Sequence, residues 1–205
     1  MARLDLSLII RAIRDVAVGN RRARVIAAHI ADAIPTRGTV LDAACGDGAV
    51  ALALVQLRPD LVVVGADGPV RPDARIAVTP HDGVRIPYAD GAFDYVLLVD
   101  RLLGFGDPAA FLAEAARVSR QGVVLKDQLG NGALALPSLR LLRFIAGDPP
   151  ARADPPGRED WQAVFYRSRM TVVWWVDRLG LFVPPFDWVF GRRLHFVARL
   201  APRRG

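Results

Sequence analysis

One cysteine and one lysine are all that these 205 residues contain of either type. Cys45 alone cannot form an internal disulfide, so the fold does not depend on an oxidising compartment. Arginine takes the place of lysine throughout; Lys126 is the sole exception among 27 basic residues, a skew that speaks more of codon usage than of chemistry. A long unbroken apolar run is also missing. The most apolar late stretch, TVVWWVDRLGLFVPPFDWVF, is interrupted by Asp177, Arg178 and two prolines, too broken for a membrane span. Near the N-terminus, Leu6 to Ile10 is apolar but bracketed by Asp5 and Arg11, and no small-residue cleavage site follows. No signal peptide is read there, and a cytoplasmic location is expected. Nor is there a Gly-Lys-Ser/Thr sequence after the glycine turn at 43–48, which excludes a Walker phosphate loop.

What is present is a hydrophobic content of 52% in a chain of single-domain length. We expect one domain over 1–205, with an N-terminal helical segment at 1–36 and a lid or substrate region at 128–180. The net charge of +6 invites a nucleic-acid reading. The arginines are scattered, however, with only short clusters at Arg21-Arg22, Arg192-Arg193 and Arg203-Arg204. A solvated surface with a ragged basic tail accounts for them better than a phosphate-binding stripe.

Along the chain, Leu8 to Ile34 reads as helix in two pieces broken at Gly19-Asn20, and Pro35 closes the second. Strands follow at Thr39–Asp42, at 61–67 (LVVVGAD), at 74–78 (ARIAV), at 93–100 (FDYVLLVD) and at 122–127 (GVVLKD). Helices are expected over 48–57 and over 108–120, the second with Asp107 as N-cap and Pro108 at its first position. Between 61–67 and 74–78 there is little room and there are two prolines. A parallel crossover ordinarily needs a dozen or more residues, so this one is expected to be an irregular loop. Residues 132–146 read as a basic amphipathic helix, 161–169 as the opening of another, and 181–200 as a β-hairpin. The alternation through 39–127 predicts a three-layer α/β sheet with right-handed crossovers.

In such sheets, ligands lie beyond the carboxyl ends of the strands. Asp42, Asp67, Asp100 and Asp127 all stand at those ends. The turn that follows Asp42, AACGDG, carries almost no side chains, so the main chain there can come close to a ligand. Its glycine spacing does not match the dinucleotide pattern G-x-G-x-x-G, and Asp42 and Asp47 would repel a phosphate. A ligand bearing cationic groups and hydroxyls suits the turn better.

On these residues the chain resembles the class I S-adenosylmethionine-dependent methyltransferases of the small-molecule, type 11-like group. VLDAACGDG resembles their first motif, ADG at 66–68 the second strand end, and PHDGVRIPYADGAFDYVLLVD the pair of motifs that follows. RVSRQGVVLKD resembles the turn into their fifth strand, and 181–200 their closing hairpin. The resemblance covers roughly 20–130 in ordered succession. It implies a Rossmann-like, mostly parallel seven-stranded sheet with a C-terminal antiparallel hairpin, here with a shortened second crossover. It also implies S-adenosylmethionine as cofactor, whose methyl group is transferred to a small organic acceptor. By the same resemblance, Asp42, Ala43, Ala44, Cys45 and Gly46 would face the methionine and ribose, and Asp67 with Gly68 the ribose hydroxyls. Asp82 and Gly83 would lie at the adenine, and Val99 and Asp100 along the methionine. No metal site is implied.

Two departures stand out. Ala44 replaces the motif's first glycine, and Leu103-Gly104 occupies the place where many relatives carry a histidine pair. A general base is needed only for a hydroxyl or ammonium acceptor; the candidates are His29, His81, Tyr88, Asp127 and His195, with Asp127 foremost because it stands on the rim. The aromatic residues dense in 161–190 build core or line a pocket for a planar or lipid-like acceptor. The 132–146 helix reads as a lid, with contact to a membrane surface as its alternative. Two other functions stay open at this point: an inactive cofactor-binding or interaction module, and an RNA methyltransferase. Oligomeric state is not legible.

Overall fold

The computed structural model describes residues 20–68, 70–130, 137, 140, 154–181 and 194–203. Seven strands form one sheet: β1 (Gly38–Asp42), β2 (Leu61–Asp67), β3 (Val78–Pro80), β4 (Phe93–Val99), β5 (Ser119–Gln128), β6 (Met170–Val176) and β7 (His195–Pro202). Their spatial order is β3-β2-β1-β4-β5-β7-β6. The first five run parallel, and β7 lies antiparallel between β5 and β6. The expected seven-stranded, mostly parallel sheet with an antiparallel C-terminal pair is therefore what the chain forms.

Helices cover both faces. On one side, α1 (Asn20–Ala33) and α2 (Ala49–Leu57) bury Ile26, Ile30 and Leu54 against Val40, Tyr95, Leu97, Val124 and Val197. On the other, α3 (Pro108–Val118) and α4 (Arg158–Arg167) bury Phe111, Leu112, Trp161 and Phe165 against Val96, Leu98, Val123, Leu125 and Phe196. Alternate residues of β4 and β5 thus serve opposite layers, which explains why these strands read as continuous apolar runs. Asp107 caps α3 as expected, accepting from the N–H groups of Ala109 and Ala110 with Pro108 at the first position. Arg58 fastens the two helices of its layer by donating to the terminal carbonyls of α1, Ala31 at 3.1 Å and Ile34 at 2.7 Å, groups a helix end leaves unpaired. No described helix is long and apolar enough to cross a membrane.

Three expectations need correction. The strand expected at 74–78 forms only at Val78–Pro80, because Gly65 to Asp67 of β2 offer it three pairing positions. The first strand of the terminal antiparallel pair is Met170–Val176, not a segment within 181–200; tryptophans and valines there supply the apolar side that packs on Phe196. The helix expected to open at 161 begins at Arg158, where Asp160 reaches back to the Gly157 N–H and extends it by one turn. The crossover from β2 to β3 holds no helix among its described residues, as its length and prolines predicted. The first helical piece, nearly all of 132–146 and most of 181–200 lie outside the described residues.

Candidate functional site

Strand order reverses between β1 and β4, and the carboxyl ends of both strands, with those of β2 and β5 beside them, define one rim. The turn after β1 is closed by Gly48 N–H donating to the Cys45 carbonyl at 2.8 Å. Gly46 (φ 57°) and Gly48 (φ 76°) both adopt the left-handed conformation that this tight turn requires. A side-chain carbon at Gly46 or Gly68 would meet nothing within 4 Å. The main chain at those two positions therefore borders open space on the ligand side.

Asp67 ends β2 and is tied to the turn. Its Oδ2 accepts from Gly46 N–H at 2.7 Å and its Oδ1 from Gly68 N–H at 2.7 Å. Each oxygen has a further lone pair, so the carboxylate can still accept two hydroxyl protons. Arg101, itself largely exposed, holds Nη2 3.6 Å from Oδ1. Asp42 is buried, and its Oδ1 has no hydrogen-bond partner among the described residues. Burial pushes this carboxyl up to about 7, with Asp67 and Asp47 adding to the effect and the Ala44 N–H opposing it. Such an orphaned acid is costly to leave unpaired and is suited to a cationic ligand group. Cys45 is also buried; burial pushes its thiol up to about 12, so it is a packing residue and not a nucleophile.

Beyond Asp67, the chain folds back through His81. Gly83 N–H donates to His81 Nδ1 at 3.0 Å, so Nε2 carries the proton and donates to the Ala43 carbonyl at 3.1 Å. His81 thereby fastens the 81–83 loop to the glycine turn, a structural use that occupies both ring nitrogens. Its ring stacks on Phe111, which stacks on Phe105. Asp82 is exposed, and its Oδ1 accepts from the N–H groups of Val84 and Arg85. Those two bonds hold its carboxyl below the usual range.

The β4–β5 side of the rim differs. Asp100 follows β4 with φ 55°, a backbone conformation unusual for a residue with a side chain. Its Oδ2 accepts from Arg22 of α1 at 2.5 Å and its Oδ1 from Lys126 of β5. Burial would raise this carboxyl, but the two cations hold it well below the ordinary carboxylate range. Lys126 is completely buried and lies 3.3 Å from His195 Nδ1; its burial lowers the ammonium against the pull of Asp100. Asp127, the next residue, points to the opposite face and is itself buried, with burial raising its carboxyl.

The structure thus brings Asp42, Ala43, Ala44, Cys45, Gly46, Asp67, Gly68, Asp82 and Gly83 together on one side of the rim. Val99 and Asp100 lie on the other, the Asp100 carboxylate already engaged. His29 lies away from the rim, its Nε2 3.0 Å from the Leu179 carbonyl. Tyr88 shares a 2.8 Å hydrogen bond with Thr79. The aromatics of the 161–176 region are largely core: Trp161, Phe165 and Trp175 form one cluster with Phe196, in which Trp161 meets Phe196 edge-on. Sequence reasoning did not place Arg22, Arg101 or Lys126 at the rim. A lysine closing an apolar strand, the only lysine in the chain, was the available signal for the last.

Residues 41–125 match the family model described as a methyltransferase domain. The fold is the Rossmann-like one also seen in solved methyltransferases. It is similar along its whole length to a chain from the complex between the Haloferax volcanii Trm112 methyltransferase activator and its methyltransferase partner (16% identity, TM-score 0.66, all of both chains covered). CalO1, a methyltransferase in calicheamicin biosynthesis solved in its SAH bound form, is similar over 90% of this chain and 54% of its own, at 19% identity and TM-score 0.63. The [4+2]-cyclase SpnF is similar over 89% of this chain and 82% of its own, at 16% identity and TM-score 0.66. No curated protein matches the chain.

Proposed function

We propose that the chain is an S-adenosylmethionine-dependent methyltransferase acting on a small organic acceptor. The observation that carries this reading is the pairing of Asp67 with a side-chain-free turn, next to the unpartnered oxygen of Asp42. Such a site fits the cofactor's groups. Asp67 would take the ribose diol with both oxygens, while Gly46 and Gly68 leave the space in which that sugar lies. Asp42 would pair the α-ammonium, and Ala43 to Cys45 would border the methionine portion. Gly83, held by His81, and Asp82 would flank the adenine, and Val99 would pack along the methionine. Asp100 would act there through its charge, since both its oxygens are engaged.

When bound, S-adenosylmethionine supplies an activated methyl group on a sulfonium whose departure leaves a neutral thioether. The protein's share is to bind, to align an acceptor at the β4–β5 side of the rim, and to exclude water there. The methyltransferase-domain match over 41–125 supports this reading, as does the SAH bound form of CalO1 on the same fold.

The test is calorimetric titration with S-adenosylhomocysteine beside NADH and ATP. Micromolar binding of the first alone is expected. No binding at millimolar ligand would overturn the reading in favour of a module that does not use the cofactor. SpnF, named a cyclase, is similar in fold, so the same fold carries more than one chemistry. An RNA acceptor would instead reveal itself in a steep loss of affinity with salt.

A further inference from the structure

The glycines around the turn after β1 are bare for two different reasons. A side-chain carbon at Gly46 or Gly68 would meet nothing, whereas one at Gly48 would stand 2.7 Å from Ile76 Cγ1. One at Gly65 of β2 would stand 2.9 Å from Ile76 Cδ1 and 2.7 Å from Cys45 Sγ. Packed side chains leave no room for contacts that short. Gly48 and Gly65 therefore make space for a side chain of the protein itself, and that side chain comes from the crossover between β2 and β3.

The crossover is shaped to deliver Ile76 there. Residues 71–74 form a turn in which Ala74 N–H donates to the Arg71 carbonyl at 3.2 Å, and the Arg71 guanidinium spans both Asp73 oxygens at 2.9 and 3.1 Å. Past that turn, Arg75 N–H donates to the Asp47 carbonyl at 2.8 Å, and Arg75 Nε lies 3.3 Å from Asp47 Oδ2. Just before β3, the Ala77 carbonyl accepts from Gly65 N–H at 3.0 Å. Ile76 is half-buried between these two backbone bonds and lies against Gly48 and Gly65. Each residue of 46–48 is thus held from outside the turn: Gly46 by Asp67, Asp47 by Arg75 and Gly48 by Ile76.

A segment with two left-handed glycines has a large backbone freedom to lose, and losing it at the moment of binding costs affinity. The ribose is assigned to the open side of Gly46, so the shape of 46–48 sets the shape of that subsite; this step rests on the methyltransferase reading. A parallel crossover usually carries a helix, but this one sets a single isoleucine against the turn. We propose that Ile76 is a positioning residue for the cofactor turn. Wedged on Gly48 and Gly65, it holds residues 46–48 in the binding conformation before a ligand arrives, with the Arg75 N–H bond to Asp47 as its support. Ile76 acts through the turn, not by contact with the reacting atoms.

The test has two arms, each run on the full chain, on Ile76→Ala and on Ile76→Val. In the first, amide hydrogen exchange is followed by mass spectrometry without ligand. Ile76→Ala is expected to exchange faster in the peptide over 43–50, with the peptides of β4 and β5 unchanged. In the second, S-adenosylhomocysteine is titrated by calorimetry at about 15 °C, near the usual stability maximum, so that folded protein is compared with folded protein. Ile76→Ala is expected to bind about tenfold more weakly or worse, the cost of ordering one or two residues on binding. Ile76→Val keeps Cγ1 on Gly48, so it should move both readouts the same way by less, and it carries the test should the alanine variant not fold. Affinity within about twofold of the wild type in Ile76→Ala, faster exchange confined to 70–80, or faster exchange spread evenly over β4 and β5 overturns the proposal. Failure of the wild type to bind S-adenosylhomocysteine sinks the methyltransferase reading instead, while the exchange arm still decides whether Ile76 holds the turn.

Discussion

The two sides of the rim use the same residue type to opposite ends. On the β1–β2 side, Asp42 and Asp67 keep lone pairs free, and the backbone beside them borders open space. On the β4–β5 side, Asp100 spends both oxygens on Arg22 and Lys126, tying α1 to the sheet. A strand-end aspartate is therefore not a binding residue by position alone. Whether it is one depends on whether the fold supplies its partners or leaves them to a ligand.

The largest effect should come from breaking the satisfied side. Lys126→Met strands Asp100 with a single partner in a buried setting, and a loss of about 3–5 kcal/mol in denaturant unfolding is expected. Affinity for S-adenosylhomocysteine should fall only as far as the fold loosens. Asp67→Ala acts mainly on the ligand: removing the carboxylate that takes two hydroxyls should weaken binding by about 2–4 kcal/mol, roughly 30- to 1000-fold, by calorimetry, with a smaller loss in melting because the Gly46 and Gly68 N–H groups lose their acceptor.

Asp42→Asn comes next, at about tenfold in affinity. In the wild type the raised Asp42 carboxyl, about 7, must ionise to pair a cation, so affinity should climb as pH rises toward 7 and level off above it. The variant should lose that slope. Smallest is Arg101→Ala. The arginine stands 3.6 Å from Asp67 and is 58% exposed, so removing its screened charge should tighten binding by no more than about 1 kcal/mol.

The same contrast explains what the sequence could carry. The β1, β2 and β4 strands, their terminal acids and the glycine turn were legible because strand periodicity and turn chemistry are local signals. Of the two N–H partners of Asp67, Gly68 is adjacent, whereas Gly46 lies 21 positions back and meets it only through the pairing of β1 with β2. Asp100 was not legible as an engaged residue. Its partners lie 78 and 26 positions away along the chain, and only the packing of α1 onto β4 and β5 brings them together. The engagement of His81 was not legible for the same reason, since its two hydrogen bonds depend on the fold-back of β3 against the turn. The short β3 and the placement of β6 before 181 were set by register with β2 and β7, which no single segment encodes.

The helix-less crossover after Asp67 has a kinetic consequence. β3 is held by three register positions at the sheet's edge, and Val70 in the crossover that leads to it remains 50% exposed. Little apolar burial resists its detachment, whereas β4 and β5 are sealed between two helical layers. The β3 edge, rather than β2 behind it, is thus the part of the rim expected to open locally, below the free energy of global unfolding. A molecule seated against that edge would then leave at a rate set by how often the edge lifts, not by the durability of the core.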